Sequence, residues 1–150
     1  LGVCRLLFQY NTSDNANRLK IDIRILSQND TVNILGLLKS RYVDNYKAKG
    51  IFLWENITDP AYLNDPFGWS YIEDFVGDVP CLIIFNDVDS WVAIEISNGF
   101  DLTRLLNESF GFEFYIINKE LTYVICFNHH DQLICAGEAK EWLNGYIDIK

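Results

Sequence analysis

The sequence predicts an α+β fold, a mainly antiparallel sheet with helices packed on it, and three observations carry that prediction. Apolar stretches of strand length crowd the second half of the chain: Val79–Phe85, Trp91–Ile96, Phe112–Ile117, Leu121–Asn128 and Asp131–Ala136. The last three are separated by the short turns Lys119-Glu120 and His129-His130, which join antiparallel neighbours. Helical spacing is confined to a few separate segments, the pattern of helices laid on a sheet.

Taken in order, residues 3–10 suit either a strand or a helix, and the polar tract Asn11–Asn17 reads as a loop. Arg18–Leu26 alternates Leu19, Ile21, Ile23 and Ile25 with Arg18, Lys20, Asp22 and Arg24, the period of a half-buried strand with a basic outer side. Asp30 reads as the N-cap of a helix in which Leu35, Leu38, Tyr42 and Tyr46 recur every three or four residues. Lys47 and Lys49 complement its dipole, and Gly50 supplies the left-handed stop. Ile51–Glu55 reads as a short strand, Thr58–Gly68 as turns, and Trp69–Val76 as a short helix before Gly77. Asn86–Ser90 forms the next turn. Asp101 caps a short helix with Leu102, Leu105 and Leu106 inward, ended by Gly111. Gly137–Asn144 closes the chain as a helical turn or two, with Ala139, Trp142 and Leu143 pointing in.

Two-residue turns set a register for the last three strands. One face then carries Phe112, Phe114, Ile116, Leu121, Tyr123, Ile125, Phe127 and Ile134. The other carries Glu113, Tyr115, Ile117, Thr122, Val124, Cys126, Leu133 and Cys135, apolar enough to need partial cover of its own.

A chain of 150 residues, 49% hydrophobic, buries roughly 70% of its unfolded surface, enough for one core, and no repeat or linker divides it. The prediction is therefore one domain over residues 1–150. Cys4, Cys81, Cys126 and Cys135 form no C-x-x-C pair and no dense framework, which points to reduced, buried thiols and a cytoplasmic setting. No stretch approaches the ~20 apolar residues of a membrane span.

Charge is the most informative property. The net charge is −9, but the first fifty residues hold eight Lys/Arg against four Asp, while the remaining hundred hold four against seventeen acids. Between Lys49 and Arg104 there is no basic residue, and the acids there are Glu55, Asp59, Asp65, Glu73, Asp74, Asp78, Asp87, Asp89, Glu95 and Asp101. Large aromatics interleave with them, among them Trp54, Trp69 and Tyr71. Acid with exposed ring surface suits a positively charged partner better than a catalytic pocket. Nucleic acid is a poor partner for such a chain, since Arg18, Lys20, Arg24, Lys39 and Arg41 would have to outweigh the acids.

Catalytic signatures are absent: no G-x-S-x-G, P-loop, G-x-G-x-x-G or H-E-x-x-H occurs. The two histidines are adjacent, in Asn128-His129-His130-Asp131, and with Cys126 and Cys135 they spell C-x2-H-H-x4-C. The two-residue turn puts Cys126 opposite Leu133 and Cys135 opposite Val124. Both cysteines then enter a packed face away from the histidines, with their Cβ atoms ~7 Å apart, which suits neither zinc nor a disulfide. Asp87-x-Asp89 beside Asn86 reads as a turn closed by aspartates rather than a Mg2+ site. No metal and no cofactor is expected.

Two segments carry a resemblance: Phe110–Ile116 (FGFEFYI) and Cys126–Leu143 (CFNHHDQLICAGEAKEWL). Over roughly the last 65 residues the chain resembles small bacterial immunity proteins of polymorphic toxin and contact-dependent growth inhibition systems. The likeness concerns fold-forming positions rather than a mechanistic motif. It implies stoichiometric binding to one cognate toxin domain, often a nuclease with a basic active site. The expectation is a non-catalytic inhibitor whose partner-binding residues are Trp54, Asp65, Trp69, Tyr71, Glu73, Asp74, Asp78, Asp87 and Asp89. Alternatives are a small hydrolase or nuclease centred on His129, His130 and Asp131, and an acidic mimic of nucleic acid.

Overall fold

The computed structural model describes residues 13–44, 53–87, 90–109 and 113–149, and they form an α+β fold. Seven antiparallel strands make one sheet: β1 (Ile23–Ile25), β2 (Ala61–Asn64), β3 (Cys81–Asp87), β4 (Ser90–Ile96), β5 (Phe114–Ile117), β6 (Tyr123–Phe127) and β7 (Gln132–Gly137). Their order across the sheet is β1-β4-β3-β5-β6-β7-β2. Helices α1 (residues 13–19), α3 (Ile72–Val76), α4 (Gly99–Asn107) and α5 (Glu138–Ile149) share a core with one face, through Ala16, Ile72, Val76, Leu102, Leu105, Ala139 and Leu143. Helix α2 (Gln28–Tyr42) covers the other face with Leu35, Leu38 and Tyr42, assisted by the 3-10 turn Leu53–Asn56. The second apolar face thus has the cover that its composition demands.

The starts of α2 and α4 correct the expected caps in the same way. The cap of α2 is Ser27, whose hydroxyl accepts from the Asp30 N–H at 3.1 Å; Asp30 lies inside the first turn, where its charge meets the helix dipole. The cap of α4 is Asn98, whose Oδ1 accepts from the Asp101 N–H at 2.8 Å. In each case the capping side chain sits three residues before the acid and reaches forward to accept from the acid's own N–H. Helix α2 ends at Tyr42, because Val43 turns extended and bridges to Ile57. The expected stop at Lys47, Lys49 and Gly50 lies outside the described residues.

Other expectations are corrected locally. The loop expected over Asn11–Asn17 is helical from residue 13, closed by Lys20 at φ 58 with the Ile21 N–H donating to Ala16 O at 2.8 Å. Only Ile23–Ile25 of the expected strand Arg18–Leu26 joins the sheet. The turns expected over Thr58–Gly68 contain β2, and the strand expected at Ile51–Glu55 is instead a 3-10 turn where described.

The register of β7 is the most consequential correction. Cys126 lies opposite Ile134 and Ile125 opposite Cys135. The turn has three residues, His129, His130 and Asp131, with Asp131 left-handed at φ 57. That is the length of a type I turn closed by a bulge, and one extra residue exchanges the two faces of the returning strand. Leu133 and Cys135 therefore enter the four-helix side with Phe127 and Ile125, while Ile134 enters the α2 side with Cys126. The two cysteines end on opposite faces, which removes any common metal site or disulfide between them. Leu121, left-handed at φ 55, also lies on the α2 side rather than beside Tyr123.

Candidate partner-binding surface

The strand registers define two ends of the sheet. At one end Asp87 pairs with Ser90, Phe114 with Phe127, and Asn64 with Gln132. The β6–β7 turn projects from this end. Asn128, only 2% exposed, shapes the turn: its Oδ1 accepts from the His130 and Gln132 amides at 3.0 and 3.1 Å, and its Nδ2 donates to Gln132 Oε1 at 3.1 Å.

Glu113, immediately before β5, is the anchor of this end. Its Oε1 accepts from Trp54 Nε1 at 3.1 Å and from the His129 N–H at 3.1 Å, and it also meets His129 Nδ1. Trp54 stands edge-on to both imidazoles, at 6.2 and 5.8 Å, and the two imidazoles lie 3.9 Å apart. The Trp54 N–H donates to the Tyr115 hydroxyl at 3.0 Å, and burial pushes the ionisation of that phenol far up, so it remains a neutral partner. Across the turn, the Asp65 N–H donates to Asp131 O at 3.0 Å, and the Asp65 carboxylate accepts from the Phe67 N–H at 2.9 Å and the Tyr71 hydroxyl at 2.6 Å. The Phe67 ring between them is 65% exposed.

The structure therefore places Trp54, Asp65 and Tyr71 around the turn end with His129, His130 and Asp131, and Asp87 at the same end of the sheet on β3, with β5, β6 and β7 between it and β2. It does not bring the remaining acids there. Glu73 and Asp74 lie on α3, which leads away toward Asp78 and the opposite end of the sheet. Glu73 accepts from Thr103 Oγ1 at 3.0 Å; Asp74 and Asp78 are exposed and in no ion pair among the described residues. Trp69 is half-buried against the core, and Asp89 lies outside the described residues. Sequence reasoning passed over Glu113 and Phe67. The hairpin register, which sets position 113 across from Asn128, is the signal that finds Glu113.

Among the described residues, no Lys or Arg of the basic N-terminal segment forms an ion pair with α3. Arg18 pairs with Glu108 at 2.9 Å, and Arg24 pairs with Glu95, which also meets Lys119 at 2.7 Å. Lys119, then Arg24, hold the Glu95 carboxyl below its usual range. A lowered folded-state value stabilises at neutral pH, and the contribution is lost as pH falls through the acid range. The stability difference between the protein and Glu95→Gln should accordingly shrink as pH is lowered, as read by denaturant unfolding; a gap that widens in acid would contradict the pairing. The three described cysteines, all buried, are poorly placed for thiolate chemistry. Burial, and secondarily Glu95, pushes Cys81 up to about 12, and burial likewise raises Cys126 and Cys135 well above the usual thiol range.

Among the described residues no group of three or more His, Cys, Asp or Glu is placed to hold a metal ion, and no helix is long and apolar enough to cross a membrane. No family model matches the chain, and neither a curated protein nor a solved structure does.

Proposed function

We propose that this protein is a toxin-neutralising immunity protein, a non-catalytic inhibitor that covers the cationic active-site region of a cognate toxin, with a nuclease as the favoured toxin class. The observation that carries the reading is the turn end of the sheet. There a half-buried Trp54, packed on the α2 side, adjoins the Glu113–His129 pair, and across the turn an exposed Phe67 adjoins the Asp65–Tyr71 pair. Aromatic anchors ringed by oriented acids suit a guanidinium- or ammonium-bearing surface. Asp74 and Asp78 act at longer range, adding to the field of a −9 molecule that speeds encounter with a basic partner. The resemblance read from Phe110–Ile116 and Cys126–Leu143 suggests the same role.

The test is binding to the product of the neighbouring gene, measured by calorimetry and stopped flow. Phe67→Ala should weaken the complex by about 2 kcal/mol, roughly thirtyfold, mainly through faster dissociation. Asp74→Lys with Asp78→Lys should slow association about tenfold at low salt and leave dissociation nearly unchanged. Unaltered affinity and rates in both variants would remove the reading.

A second reading draws on His129, whose Nδ1 faces a carboxylate as an oriented general base does. It makes the turn end a small hydrolase or nuclease site. Turnover that survives Phe67→Ala but is lost in His129→Ala would favour it over the inhibitor.

A further inference from the structure

Among the described residues the sheet has two open borders, and they differ in kind. At one border β1 is bracketed by charge, with Asp22 before it and Arg24 within it. Charged side chains of this sort discourage another strand from pairing. At the other border β2, Ala61-Tyr62-Leu63-Asn64, carries no charge at all.

Hydrogen-bond alternation shows what β2 presents. The Asp65 N–H reaches Asp131 O, and Asn64 lies opposite Gln132. In an antiparallel ladder this makes Asn64–Gln132 and Tyr62–Ile134 the non-bonded pairs, so Ala61 and Leu63 turn their amides and carbonyls toward β7. Tyr62 and Asn64 turn theirs outward. Both residues are exposed, and among the described residues nothing bonds those outward groups. Pro60, the next outward position, has no N–H to offer, which ends the edge there. The Tyr62 side chain, 51% exposed, stands on the α2 face of the sheet, where an added strand would cover it.

Charge selects the occupant. Asp59 and Asp65 bracket β2, and Asp59, although paired with Lys140 at 2.8 Å, keeps 83% of its side chain exposed. Antiparallel pairing with a second copy centred on Tyr62 would set Asp59 of each chain against Asp65 of the other, which is repulsive. We propose that the outer edge of β2 receives an extended, basic segment of a partner protein as an eighth strand, bonded to the main chain of Tyr62 and Asn64. Main-chain bonds supply the attachment, and basic side chains opposite Asp59 and Asp65 supply the selectivity. This goes beyond the electrostatic reading above, since a cationic partner need not be extended to be attracted.

The experiment uses the whole protein, and the probe is a blocked ten-residue peptide of alternating valine and threonine. It carries arginines six positions apart, the spacing of Asp59 and Asp65. A control peptide has glutamates at the same two places. Amide hydrogen exchange is followed residue by residue by NMR. In the free protein the Tyr62 and Asn64 amides should exchange fast; with the arginine peptide they should slow by roughly tenfold or more, and with the glutamate peptide they should not. Binding of the arginine peptide without slowing at these two amides would overturn strand addition while leaving a cationic partner in place. Slowing that depends on protein concentration alone would make the occupant a second copy and overturn the proposal, and so would binding of neither peptide.

Discussion

Gly137→Ala is expected to lower the unfolding free energy by about 3 kcal/mol, a fall in melting temperature of about 6–12 °C for a chain of this length. Gly137 ends β7 and hands the chain to α5 at φ +67, a conformation that side chains rarely adopt. Space is short as well. A Cβ placed there would lie 2.4 Å from Thr122 O and 2.7 Å from the Tyr42 hydroxyl. Neither neighbour can retreat cheaply: Thr122 O accepts from the Glu138 N–H at 3.0 Å, and the Tyr42 hydroxyl donates to Leu121 O at 2.6 Å. The glycine is therefore where the four-helix layer, the sheet and α2 meet within van der Waals distance. Gly36→Ala is the matched comparison, since Gly36 sits inside α2 with nothing within 4 Å of an added Cβ. It should stabilise by about 0.5–1 kcal/mol. Thermal unfolding followed by circular dichroism reads both. A Gly137→Ala protein melting within about a degree of the parent would show that the junction relaxes freely.

Asn128→Ala is expected to cost about 2–3 kcal/mol and to loosen the turn end of the sheet. The side chain is buried, and its removal strands the amides of His130 and Gln132 that it now satisfies. The consequence reaches the candidate surface, because the same turn sets the His129 N–H on Glu113 and Asp131 O on the Asp65 amide. Denaturant unfolding measures the stability loss. Broadened amide signals confined to residues 128–131 and to Trp54 would report the loosening. A variant with parent stability and sharp signals there would mean that water replaces the side chain without cost.

Much of this architecture was legible in the chain, for reasons that particular residues make plain. β3, β4 and β6 could be read because unbroken or alternating apolar runs leave few other ways to bury Ile83, Ile84, Ile94 and Ile125. α3 and α4 were readable from their spacing and the glycine after α3. Less could be read where a single residue decides the outcome. His129-His130 looks like a two-residue turn, yet Asp131 adopts the left-handed conformation and joins it, and Leu133, Ile134 and Cys135 all change face. β2 escaped notice because four residues between Pro60 and Asp65 have no periodicity to display and are held by β7, whose position only the folded sheet reveals. The candidate site divides similarly. Trp54, Asp65 and Tyr71 converge because the ends of separate strands come together there, which no local pattern encodes. Glu73, Asp74 and Asp78 are near in sequence to the other acids, but α3 carries the first two away and Asp78 follows it toward the opposite end.

The order of strands has a bearing on how the molecule is made. Residues 81–137 supply β3 to β7, a contiguous run that occupies the middle of the sheet, whereas β1 and β2 come from the first 64 residues and form its margins. A ribosome delivers those two margins before there is anything for them to border. β1 must wait, solvated, for β4, and β2 must wait longer, until Gln132–Cys135 of β7 has been made. The strand with the uncharged edge is the one kept waiting longest, so nascent chains carry Ala61–Asn64 without its β7 partner until Gln132–Cys135 has followed.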